Sequence, residues 1–178
     1  MERLYAYVGS PAARARAEGT PEGAPIASRE ALAQWVDAHP EAVREAATAV
    51  VDARGTLRLA PRRSEHVACA AGGEVRFAGE IAFERGAAAV RWCSNQSSGY
   101  CPEPASHAPL RRALAALGVT RVPAFEPSCE WRRCVACAQI NLVKEGDLTC
   151  ACCDAALPEA WNFADAGAPP PGRSSSSG

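Results

Sequence analysis

Between Glu74 and Glu84 the apolar positions alternate, with Val75, Phe77, Gly79, Ile81 and Phe83 on one face. A period of two marks a half-buried strand. Glu84-Arg85-Gly86-Ala87 then turns the chain into a second strand from Ala88 to Cys93, so a hairpin is predicted with Phe77, Ile81, Phe83 and Trp92 on its core face. A second hairpin is expected over 49–59, where the β-branched pair Val50-Val51 and the strand-forming Leu57-Arg58-Leu59 flank Asp52-Ala53-Arg54-Gly55. Leu4 to Val8 alternates too and reads as a short first strand closed by Gly9-Ser10-Pro11.

Helical spacing appears elsewhere. Ala31, Leu32, Trp35 and Val36 share one face behind Ser28, a good N-cap, in a helix that ends near His39-Pro40; Trp35 is assigned to the core. Leu110, Ala113, Leu114 and Leu117 do the same behind Ser106 and stop at Gly118. A turn or two is expected over 12–18, and 42–49 has helical composition. The stretch from Arg62 to Gly73 is polar and bounded by glycine, so it is read as a loop.

These elements predict an α+β fold: a small, mainly antiparallel sheet with flanking helices over residues 1–127. A small cysteine-rich module follows at 128–163. The tail at 164–178, rich in Ala, Gly, Pro and Ser, is expected to be disordered. A chain of 178 residues can bury a real core beside an appended module. No apolar run approaches the roughly eighteen residues a membrane helix needs, so no membrane role is expected. The formal charge of −1 offers no basic field for nucleic acid. Lys144 is the single lysine among 19 basic residues, an arginine bias that makes paired arginines such as Arg132-Arg133 less informative.

The chemistry concentrates in the cysteines. Cys134-Val135-Ala136-Cys137 and Cys150-Ala151-Cys152-Cys153 form a C-x2-C-x12-C-x2-C pattern. Each C-x2-C turn aims two sulfurs at one point, and four thiolates complete the tetrahedron that Zn²⁺ accepts, with no open position for water. A structural zinc ribbon held by Cys134, Cys137, Cys150 and Cys153 is therefore expected over 128–163. Cys153 is preferred to Cys152 because two intervening residues suit the knuckle turn. Iron is the alternative metal, since the spacing is also rubredoxin-like and an all-sulfur site suits it. The N-terminus turns polar before an export signal can develop, so a reducing cytoplasm is expected and a disulfide scaffold is not.

Two polar stretches carry the other candidate chemistry. Residues 95–104, Asn-Gln-Ser-Ser-Gly-Tyr-Cys-Pro-Glu-Pro, leave the end of a predicted strand, a root from which a loop can present side chains. His66, Asn95, Gln96, Ser97, Tyr100 and Cys101 are the candidate ligand- or partner-binding residues. A Cys/His enzyme, hydrolase or transferase, is the alternative, with Cys101 as nucleophile, His66 as base and Asn95 or Glu103 orienting it. His66 with Cys69, and Cys93, Cys101 or His107, is a possible second metal site, although only His66-x2-Cys69 has ligand spacing. In the third reading the loop amides and hydroxyls satisfy backbone groups, and Cys69, Cys93 and Cys101 are small buried hydrophobes.

Arg63-Ser64-Glu65-His66-Val67-Ala68-Cys69, the 95–104 stretch, Arg132-Arg133-Cys134 and the closing Leu157-Pro158 with Trp161-Asn162-Phe163 together resemble a bacterial protein family ending in a rubredoxin-like or zinc-ribbon module. The likeness covers most of Arg3 to Phe163 and implies that the ribbon is integral to one architecture. It implies no activity. The family pattern has glycine after each cysteine pair, whereas this chain has Ala138 and Asp154. The ribbon, from Cys129 to Phe163, carries three basic against five acidic residues, so a protein partner or a small ligand is expected before nucleic acid. The expected function is that of a zinc-binding cytoplasmic binding or adaptor protein.

Overall fold

The computed structural model describes residues 2–163, so the expected tail lies outside the described residues. In chain order the elements are α1 (Pro11–Ala17), β1 (Ala24–Pro25), α2 (Arg29–Ala38), α3 (Glu41–Arg44), β2 (Ala47–Asp52), β3 (Leu57–Ala60), α4 (His66–Cys69), β4 (Val75–Phe83), β5 (Val90–Ser94), α5 (His107–Ala116), β6 (Glu130–Arg133) and β7 (Ile140–Val143). The first five strands make one antiparallel sheet in the order β1-β3-β2-β4-β5, and β6 pairs with β7 in a separate ribbon. The fold is α+β with a four-cysteine cluster near its C-terminal end.

Both faces of the large sheet are buried, which explains why β2 reads as a nearly continuous apolar run. One face carries Ala49, Val51, Leu57, Leu59, Phe77 and Ile81 against Leu32 and Val36 of α2 and Leu110 and Leu114 of α5. The other carries Val50, Ala60 and Ala78 against Ala17 of α1, Val67 and Cys69 of α4, Tyr5 and Tyr100. Burial of this kind contributes about 1.5–3 kcal/mol for each large aliphatic or aromatic side chain. Ser28 caps α2 as expected, its hydroxyl accepting from the Ala31 amide at 3.1 Å. Trp35 is half-buried, at the edge of this core, and stacks on His39.

Four expectations need correction. Leu4 to Val8 is not a strand: Tyr5 alone bridges to Val75, through bonds of 2.7 and 3.1 Å. Its alternation arises because Tyr5 packs on Trp161 and Tyr7 on Tyr100. Residues 42–49 are mostly not helical, since α3 stops at Arg44 and the chain enters the sheet at Ala47. The 62–73 stretch is not a plain loop, because α4 turns Val67, Ala68 and Cys69 inward while Arg62, Arg63 and Glu65 stay outside. Its polarity is one-sided, and a single turn is too short for a period to show. Trp92 does not share the core face with Phe77, Ile81 and Phe83. The register sets Ile81 opposite Cys93 and Ala82 opposite Trp92, so Cys93 points into the core. A one-residue shift in the turn exchanges the faces.

Gly79 fixes where β4 passes the end of β5. A Cβ at this position would lie 2.0 Å from the Ser94 carbonyl oxygen, and real Cβ contacts do not come that close. The absence of a side chain lets the root of the 95–104 loop settle directly on the sheet.

Candidate functional site

The two knuckles have the same backbone design. The Ala138 amide donates to Cys134 O at 2.9 Å, and the Asp154 amide to Cys150 O at 3.0 Å. Both donors sit in the left-handed region, Ala138 at φ 63° and Asp154 at φ 58°. This is backbone that glycine adopts without strain and that most side chains resist. Asp tolerates it through its short polar side chain, whereas Ala138 has no such compensation.

The turns bring four sulfurs together. The Sγ atoms of Cys134, Cys137, Cys150 and Cys153 all lie within 4.8 Å of one another, with Cys134 to Cys153 at 3.7 Å and Cys137 to Cys150 at 3.6 Å. Zinc–sulfur bonds of about 2.3 Å in a tetrahedron set the edge near 3.8 Å. The donor set therefore fits a metal ion of this kind. The Cys152 thiol is not in the group; its backbone amide instead donates to Cys150 Sγ at 3.4 Å. That amide is the leading reason the Cys150 thiol is pulled down to about 6. Asn141 Nδ2 also points at Cys150 Sγ, at 3.6 Å. Donors of this sort steady a thiolate and orient it.

The ribbon is joined to the body by buried polar staples. Asn95 is fully buried and uses both ends of its amide: Nδ2 donates to Pro102 O at 2.9 Å and Cys129 O at 2.8 Å, and Oδ1 accepts from the Cys129 amide at 2.7 Å. Asn162 does the same across β6, accepting from the Arg133 amide at 2.8 Å and donating to Arg133 O at 2.7 Å. Arg132 is buried and donates to the carbonyls of Trp131, Pro158 and Glu159. Cys101, Cys129, Trp131 and Phe163 form an apolar seam, and Trp161 Nε1 donates to Cys101 O at 2.8 Å. The arginine bias of the chain masks Arg132 in the sequence; its neighbours in space are the signal.

The remaining candidates occupy separate places. Cys101 is completely buried, its Sγ donates to Ser98 O at 3.3 Å, and burial pushes the thiol up to about 12. An activated nucleophile requires the opposite shift. No hydrogen bond joins Cys101 to His66 among the described residues. Cys69 and Cys93 are likewise raised to about 12 by burial. Cys93 Sγ and His107 Nε2 both donate to Pro123 O, at 3.4 and 2.7 Å, holding down the segment after α5. Among the described residues the four ribbon cysteines are the only His, Cys, Asp or Glu group of three or more with metal-holding geometry, and His66, Cys69, Cys93, Cys101 and His107 do not converge. Tyr100 is buried and donates to Gly73 O at 2.7 Å.

His66, Gln96 and Ser97 do meet. With Glu80, Ser98 and Trp131 they line an open pocket of about 220 Å³ where α4, β4, the 96–98 loop and β6 come together. His66 Nε2 lies 2.9 Å from Gly79 O; a carbonyl can only accept, so this nitrogen carries the proton, and burial lowers the ring's pKa and keeps it neutral. Ser97 Oγ and Trp131 Nε1 are buried without a hydrogen-bond partner among the described residues. Each such group costs about 1–3 kcal/mol. Nothing in the local sequence marks Glu80 or Trp131 as a site residue; only the fold sets them beside the polar loop. No family model, curated protein or solved structure matches this chain.

Proposed function

We propose that this chain is a zinc-binding, non-enzymatic binding or adaptor protein, in which a structural zinc ribbon is clamped to an α+β body. The observation that carries the reading is the convergence of four cysteine sulfurs within 4.8 Å. Zinc is preferred to iron as the occupant: four thiolates suit both, and the sequence has no upstream Glu-x-x-His ligands of the di-iron kind that accompany rubredoxin-like modules in rubrerythrins. The site has no free position for substrate, so the metal's contribution is to folding. Asn95, Arg132 and Asn162 extend that order into the body.

A binding role is further supported by Val135, the exposed large hydrophobic residue among those described, at 77 % exposure within the first knuckle. The net acidic ribbon favours a protein partner or small ligand over nucleic acid. A bacterial cytoplasmic setting is part of the proposal, supported by the clustered C-x2-C thiols; no described helix is long and apolar enough to cross a membrane. Cys101 chemistry is not part of the proposal, given the burial of its thiol.

Elemental analysis of the purified protein tests the metal assignment. One zinc per chain is expected, lost in Cys134→Ser. Iron in its place would change the cofactor, and no metal in the wild-type protein would remove the ribbon reading.

A further inference from the structure

We propose that the pocket lined by His66, Glu80, Gln96, Ser97, Ser98 and Trp131 binds a small ligand carrying a primary ammonium group and an oxygen acceptor. The proposal rests on the reading of the chain as a binding protein and names a site for it. The two polar stretches singled out in the sequence, one around His66 and one over 95–104, converge only here. The ribbon supplies the third side through Trp131.

Each lining group states a requirement. Trp131 Nε1–H can only donate, and it is buried at 6 % residue exposure with no acceptor among the described residues. Ser97, at 2 %, has an equally unpartnered hydroxyl. Both residues line the pocket, and a ligand oxygen that reaches either group would accept from it. Glu80 is half-buried, and no ion pair or hydrogen bond engages its carboxylate among the described residues. No arginine or lysine lines the pocket, and His66 is neutral with its Nε2–H committed to Gly79 O. The pocket is therefore negative, which favours a cationic donor and disfavours phosphate or a simple carboxylate.

Together these demands exclude simpler ligands. An alkylamine satisfies Glu80 but leaves the indole N–H unanswered, whereas a plain amide answers the indole but leaves the carboxylate without a counter-charge. A small molecule that carries both an ammonium and a carbonyl or hydroxyl does both, as in amino-acid amides, amino alcohols and peptide amino termini. The volume of about 220 Å³ lies below the roughly 300–1,000 Å³ of drug-sized pockets, so a small molecule or the first residue of a peptide fits. Gln96 and Ser98 are exposed at the mouth, where they can meet whatever extends outward.

The test is NMR titration of the ¹⁵N-labelled, zinc-loaded full chain with glycinamide, following the indole N–H signals of its four tryptophans, with Trp131 assigned through Trp131→Phe. The Trp131 signal is expected to move saturably, with a dissociation constant on the order of 1 mM. Glu80→Gln should weaken binding about tenfold or more, and Ser97→Ala should also weaken it; acetamide and ethylamine should each fail to saturate. Ethanolamine and glycylglycinamide, run as separate arms, distinguish an amino alcohol from a peptide terminus as the source of the chemistry. A Trp131 signal that stays still, or equal affinity in folded Glu80→Gln, would overturn the proposal. Because zinc content is measured on the same samples, a silent pocket in a one-zinc protein refutes this site alone and leaves the ribbon reading standing.

Discussion

Asn95 offers the sharpest test of how body and ribbon are coupled. Its side chain spans 34 residues of sequence, tying Pro102 and Cys129 to the end of β5 through three hydrogen bonds of 2.7–2.9 Å at a fully buried site. Asn95→Ala removes all three bonds at once. It strands two carbonyls and one amide, each worth about 1–3 kcal/mol when left buried and unpaired, so a loss of about 3–5 kcal/mol is expected after relaxation. In a chain of this size that corresponds to a fall of roughly 8–15 °C in melting temperature. Urea unfolding monitored by tryptophan fluorescence, on metal-loaded protein, measures it. A loss under about 1 kcal/mol, the range of surface substitutions, would refute the staple. Asn95→Asp adds a sign. Its second oxygen faces two carbonyls, so folding favours the protonated acid and raises its pKa above the unfolded value of about 3.9. The folded state then holds more protons, stability falls as pH rises above about 4, and the deficit against wild type narrows from pH 7 to pH 5.5.

Other consequences can be checked directly. Ala138→Gly should relieve a left-handed alanine that costs about 1–2 kcal/mol, offset by about 0.5–1 kcal/mol of glycine entropy. Chelator competition should show zinc held a few-fold more tightly, with a smaller gain for Asp154→Gly; weaker binding in Ala138→Gly would contradict the knuckle geometry. Gly79→Ala drives a methyl into the Ser94 carbonyl, and a destabilisation of about 3 kcal/mol is expected in thermal unfolding, whereas a neutral result would show that β4 can shift. With iodoacetamide at neutral pH, the native metal-loaded protein should label first at the exposed Cys152, while Cys69, Cys93 and Cys101 react only on unfolding. Fast labelling of Cys101, read by peptide mass spectrometry, would restore it as a nucleophile.

The buried polar atoms divide the 95–104 loop between two tasks. Asn95 and Cys101 face inward and hold the seam, while Tyr100 is buried in the body and donates to Gly73 O. Gln96, Ser97 and Ser98 line the pocket. A loop with the groups on either side of 96–98 committed to backbone partners presents those three rigidly, which favours recognition over induced movement.

Local spacing was enough to reveal the four-cysteine cluster, both hairpins of the large sheet and the capped helix behind Ser28. Each depends on residues close in the chain: a C-x2-C turn, an alternation of period two, a hydroxyl three residues before an amide. The pairing of the two knuckles was legible because two C-x2-C turns of matching spacing each aim a pair of sulfurs at one point. What needed tertiary structure were the features that depend on distant partners. Trp92 and Cys93 exchanged faces because a one-residue difference in turn geometry inverts a strand, and no pattern within five residues resolves it. Arg132 is one arginine among 18 in the sequence, and only the fold sets the carbonyls of Pro158 and Glu159 around it. His66 and Ser97, 31 residues apart, became one pocket only when Gly79 let β4 pass beneath Ser94 and β6 brought Trp131 alongside. Sequence patterns carry the side chains' chemistry and short-range geometry; which polar groups are left without a partner depends on what every other segment covers, and only the folded chain decides that.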